Sequence, residues 1–123
     1  MNKNIITKNK KIEYLNEEKN SNLLFAFAAI LNIFGIQTEQ NELTNNDDSF
    51  KSKTIYLIVL FIAFYIYKDI FKRDIIEYNH AINNSEPLFS YSIKLIGNIF
   101  FIIGIILFII SEITQDSSFP PEI

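Results

Sequence analysis

The side chains that could do acid–base or metal chemistry are few and scattered. His80 is the single histidine, set beside Tyr78 and Asn79 in a polar stretch. A metal site gathers several ligands at fixed spacing, and one histidine alone does not make one. His80 therefore reads as a surface residue. The chain has no cysteine, which removes disulfides and thiolate ligands. It contains no G-x-S-x-G, no H-E-x-x-H and no conspicuous Ser/Lys dyad. All three glycines lie within or at the end of apolar runs, so no phosphate cradle can be built from them. Covalent and metal-assisted catalysis both need a visible pairing of nucleophile with base, or a cluster of ligands. The sequence predicts a protein that is not an enzyme and that takes no cofactor and no metal.

Polar residues inside apolar runs are a different kind of signal. Asn32 and Asn98 lie within such runs, and an amide in hydrocarbon needs a partner, so each is expected to face another helix. Pairing with each other is one option. Ala28, Asn32 and Gly35 line one face of the first helix, and Ser90, Gly97, Gly104 and Ser111 recur at intervals of seven along the last. Small residues in a stripe let another helix backbone come close, and close packing drives association in lipid. The stripe serves equally for packing on the chain's own helices or for binding a second protein. Proton-coupled transport would call for a titratable group within the membrane, and the apolar runs hold none. Lys94 stands nearest and reads as an interfacial lysine reaching the headgroups along its aliphatic stem.

The elements that carry these residues follow from where charge is missing. Residues 23–36, 55–67 and 95–110 contain no Asp, Glu, Lys or Arg. Helices that are apolar all round must be buried in a large core or in lipid, and 123 residues cannot build a core that hides three of them. The fold class predicted is an all-α membrane protein, with three transmembrane helices and an amphipathic cytoplasmic extension of the second. A cleaved signal peptide is the lesser alternative for the first run, disfavoured by position: the leading polar region is long, and Ala26-Phe27-Ala28 falls early in the run.

The predicted division is a polar, lysine-rich cytoplasmic tail at 1–22, spans at 23–38, 54–68 and 87–111, an acidic external loop at 39–53, and an acidic external tail at 112–123. Asn20-Ser21-Asn22 supplies capping chemistry before the first span. The first apolar core rises only about 21 Å, and its uncharged flanks close most of the gap to the roughly 30 Å of hydrocarbon. In the extension at 69–86, Phe71, Ile75, Tyr78 and Ile82 form one helical stripe, with Asp69, Arg73 and Glu77 as an alternating ladder on the opposite side. Asn83-Asn84-Ser85-Glu86-Pro87 breaks the helix, and Pro87 suits the first position of the next.

Orientation follows from basic residues. Lys3, Lys8, Lys10, Lys11, Lys19, Lys68, Lys72, Arg73 and Lys94 fall on one side of a three-span layout, and only Lys51 and Lys53 on the other. The positive-inside bias predicts the N-terminus in the cytoplasm and the C-terminus outside the cell membrane. A net charge of −3 with dispersed basic residues gives no nucleic-acid surface. Heavy use of Ile, Asn and Lys suits an AT-rich bacterial genome. The expected partners are the lipid bilayer and, through helix contacts, a second copy or another membrane protein in an assembly or immunity-type role. The alternative is a holin-like permeabilising protein. Three-span holins generally end in a basic cytoplasmic tail, whereas this chain ends acidic.

Overall fold

The computed structural model describes residues 3–45, 51–115 and 121, with side chains from residue 8 to residue 44 in the first segment. All regular structure among them is helical: α1 (Lys3–Asn45), α2 (Ser52–Asn83) and α3 (Phe89–Thr114). Each helix is long and apolar enough to cross a membrane.

The helices are longer than their apolar runs, for a local reason. No proline occurs before Pro87, and Gly35 is the only glycine before Gly97, so nothing breaks the backbone ladder through the polar flanks. Lys and Glu in residues 8–19 are good helix formers. From Lys3 on, the lysine-rich segment is helical and continuous with the first span in α1. Asn20, Ser21 and Asn22 sit inside the helix and cap nothing. Residues 39–45 of the expected external loop are also helical, while 46–50 lie outside the described residues.

Helix α2 runs unbroken past Tyr67 to Asn83. It stops in a Schellman arrangement: the Glu86 amide donates to the Ala81 carbonyl at 2.9 Å, and the Ser85 amide to that of Ile82 at 3.2 Å. This closure requires a left-handed residue, and Ser85 supplies it at φ 54°. Pro87 then biases Glu86 away from helical geometry. Helix α3 starts at Phe89, two residues beyond Pro87, and its first bond runs from the Ser92 amide to the Leu88 carbonyl.

Helix α2 lies in the middle; α1 and α3 each pack on it, and among the described residues not on each other. The packing reads as two neighbouring heptad stripes on α2. Ser52, Val59, Ile66 and Arg73 are all buried, as are Leu60, Asp74 and Ala81, with Tyr67 half-buried between them. Against the first stripe runs an antiparallel heptad stripe of α1, made of Ser21, Ala28 and Gly35, all buried, and half-buried Glu42. A seven-residue repeat keeps one seam facing its neighbour over many turns. Small α1 residues oppose larger α2 residues, so the backbones approach closely. An added Cβ on Gly35 would stand 2.7 Å from Cε1 of Tyr56 and 2.9 Å from Cγ2 of Ile55.

An aromatic tier ties the three helices at one depth. Phe25 meets Tyr67 edge-on at 5.5 Å between centroids, and Tyr67 stacks on Phe101 at 4.9 Å. The outward surface is apolar: Ile30, Ile33, Phe61, Phe100, Phe101 and Leu107 are all exposed. In the second half of α2 the sides are turned the same way. Ile75, Ile76 and Ile82 point outward, and Arg73 and Asp74 point in.

Candidate functional site

The inward-turned charges form a joint across all three helices. Arg73 is 8% exposed and Asp74 6%, although both are charged side chains. The Arg73 guanidinium reaches α1, donating from Nη2 to Ser21 Oγ at 3.2 Å and from Nη1 to the Tyr14 carbonyl at 3.3 Å. Its Nε lies 3.5 Å from Glu17 and 4.0 Å from Asp69, one helical turn away on its own helix. Asp74 turns to α3. The Asn98 amide donates to one carboxylate oxygen, and Lys94 Nζ lies 3.4 Å from the other. Lys94 is shared with Glu77 at 3.5 Å. Burial, followed by the charges of Glu77, Glu13 and Glu17, pushes the Tyr14 phenol above its ordinary value. The joint is thus acidic around its one guanidinium and one ammonium.

Burying a charge is costly unless it is paired and hydrogen-bonded. Asp74 meets both conditions, and Arg73 is paired and bonded through Nη1 and Nη2 while its Nε has no hydrogen-bond partner. The joint cannot be dismantled one residue at a time without leaving a buried group unmatched.

A second polar level lies at the other end. The Ser52 amide and hydroxyl both donate to the Glu42 carboxylate, at 2.6 and 2.9 Å. An acidic group from α1 thereby caps the N-terminus of α2, where the helix dipole favours negative charge. The Tyr56 hydroxyl donates to Glu39 at 2.5 Å. Lys53 Nζ donates to the Ile113 and Gln115 carbonyls at 3.3 and 2.7 Å, which closes the C-terminus of α3 with a cation. The two levels are evenly separated. Glu17 and Glu39 stand 22 residues apart on α1, Lys53 and Arg73 20 on α2, and Lys94 and Glu112 18 on α3. At 1.5 Å per residue these are about 33, 30 and 27 Å, close to the thickness of a bilayer's hydrocarbon.

The residues singled out from the sequence are distributed as follows. Gly35 and Ala28 lie in the buried stripe of α1. Asn32 is half-buried and does not meet Asn98; its amide donates to the Pro121 carbonyl at 3.2 Å. Asn98 is buried on Asp74. Gly97 and Gly104 line a groove of about 480 Å³ between α2 and α3, walled by Leu60, Tyr67, Phe101 and Phe108. No atom lies within 4 Å of where their Cβ would be, so these glycines do not draw α3 onto α2. Ser90 is exposed, and the Ser111 hydroxyl accepts from Gln115 at 2.7 Å. Lys94 bridges two carboxylates of α2. His80 is exposed beside Asn84.

Sequence reasoning passed over Asp74 and Glu17, and read Ser21 as a capping residue and not as a partner of Arg73. A signal for Asp74 was present: it stands seven residues after Tyr67 and seven before Ala81, on a stripe otherwise apolar or aromatic.

A second groove, of about 540 Å³, runs between α1 and α2 from the charged joint into the apolar zone. Among the described residues no group of three or more His, Cys, Asp or Glu is placed to hold a metal ion. Comparison with known protein families, with curated proteins and with solved structures finds no match for this chain.

Proposed function

We propose that this chain is a small, non-enzymatic protein of the cell membrane that acts through helix–helix contacts, as an accessory or interaction protein of assembly or immunity type. One observation carries the reading. Arg73 and Asp74 at one polar level, and Glu42 and Lys53 at the other, bond across the seams between the chain's own helices, while between the levels the outward faces of α1 and α3 are apolar. A surface of that kind offers its surroundings packing and little else.

The two levels are read as the hydrocarbon boundaries, with the N-terminus on the cytoplasmic side. Support for the side comes from the nine basic residues gathered toward the Arg73 end, with Lys68 just short of that level, against Lys51 and Lys53 at the other. Purification in mild detergent tests the functional reading. The chain is expected to come with a membrane partner or as an oligomer, and recovery of the bare monomer alone contradicts it.

A further inference from the structure

We propose that the groove between α1 and α2 receives the membrane helix of a partner protein that carries a lysine or arginine at the level of Glu17 and Asp69. The proposal rests on the partner-binding reading above and adds where the partner sits and what it must carry.

The groove is two-part. Its apolar part is walled by Leu24, Phe27, Tyr65 and Ile66, and its polar part, at the level of the charged joint, by Glu17, Ser21 and Asp69. No lysine or arginine lines it among the described residues. Both carboxylates stay open to the outside, with side chains 41% and 48% exposed. Among the described residues the cation within 4.0 Å of both is Arg73, and its guanidinium spends Nη1 and Nη2 on neutral oxygens, those of Tyr14 and Ser21. What Glu17 and Asp69 receive is Nε, at 3.5 and 4.0 Å, too far for a strong hydrogen bond. Within ion-pair distance two carboxylates share one guanidinium, which leaves acceptor capacity beside an apolar slot whose lining holds no cation among the described residues.

The complement of that slot is an apolar body ending in a cation. Membrane helices carry that pattern at their cytoplasmic ends as a rule, where lysine and arginine accumulate and reach the interface along their stems. An aminophospholipid fits less well. Its phosphate lies between its acyl chains and its ammonium, so an anion would be the first group to meet Glu17 and Asp69. Like charges at that distance repel.

The test uses the full chain, fluorescently labelled, in phosphatidylcholine vesicles. The probes are two synthetic membrane-spanning Leu/Ala helices, one with a single lysine at headgroup depth and one with glutamine there. Energy transfer is expected to show the lysine helix binding about tenfold more tightly, the value of a charge-assisted hydrogen bond. Glu17→Gln with Asp69→Asn is expected to erase that preference. Phe27→Trp, which fills the slot and leaves the charges alone, is expected to weaken both probes. Equal binding of the two probes, or a preference that survives the double substitution, overturns the proposal. So does loss of lysine-helix binding when phosphatidylethanolamine replaces phosphatidylcholine, since the groove would then be a lipid site. A partner recovered equally by unaltered and Phe27→Trp chains would sink the groove and leave the partner reading standing.

Discussion

Arg73 and Asp74 are neighbours in the chain and turn to different helices: the guanidinium holds α1 and the carboxylate holds α3. Successive residues on a helix point about 100° apart, so two adjacent charges can serve two seams at once. Among the described residues α1 and α3 do not pack on each other; α2 lies between them, and this dipeptide is its polar fastening to both. The fastening sits at the end of the apolar zone, where water cannot be counted on to replace a missing partner.

The two halves of that fastening should respond differently to substitution. Asp74→Ala leaves the buried Asn98 amide without its acceptor and is expected to cost about 2 kcal/mol. Asp74→Asn keeps an oxygen for Asn98 and frees Lys94 to rest on Glu77, so it should cost under about 1 kcal/mol. Unfolding in detergent micelles, followed by helical circular dichroism, reads both. Equal losses would mean that the Asn98 contact contributes nothing.

The three glycines should separate sharply. Gly35→Ala drives a methyl into the Tyr56 ring, which cannot retreat easily because its hydroxyl is held by Glu39. A loss of about 1–3 kcal/mol is expected, the usual cost of overpacking. Gly97→Ala and Gly104→Ala meet open space and should be neutral, or stabilising by up to about 1 kcal/mol through helix propensity. The same unfolding measurement ranks them. A Gly97→Ala loss as large as that at Gly35 would show that α3 lies closer to α2 than described.

The turn between α2 and α3 offers a gain. Ser85 holds a left-handed backbone at φ 54°, a conformation that favours glycine over residues with a Cβ. Ser85→Gly is expected to raise stability by about 1 kcal/mol without moving either helix. A decrease would indicate that the Ser85 side chain has a role of its own.

The three helices were legible because charge is absent from three blocks, and the break before α3 because Asn84, Ser85 and Pro87 punctuate the chain. Helix ends were not. Residues 8–22 look like a tail since they are polar, yet polarity does not oppose helix formation when a second helix runs alongside. Arg73, Ser21 and Tyr14 supply that contact. The facing of α2 past Tyr67 was the harder point. Phe71, Ile75, Tyr78 and Ile82 make a convincing stripe, and in water such a stripe would turn inward. Here Ile75 and Ile82 turn outward, as Lys68 and Lys72 do, while Arg73 and Asp74 turn inward. Asp74 escaped notice because it belongs to neither the apolar stripe nor the Asp69–Arg73–Glu77 ladder.

The central claim, a chain that crosses the bilayer three times between the two polar levels with its N-terminus inside, is tested most directly by single-cysteine accessibility. The absence of native cysteine makes each site unambiguous. In intact cells, a membrane-impermeant maleimide is expected to label Lys53→Cys, and to label Lys10→Cys and Lys72→Cys only after the cells are opened. Ile30→Cys and Phe100→Cys, on outward apolar faces between the levels, should resist it throughout. Labelling of residue 10 from outside would reverse or remove a span, and ready labelling of residues 30 and 100 would mean that those faces meet water and not lipid.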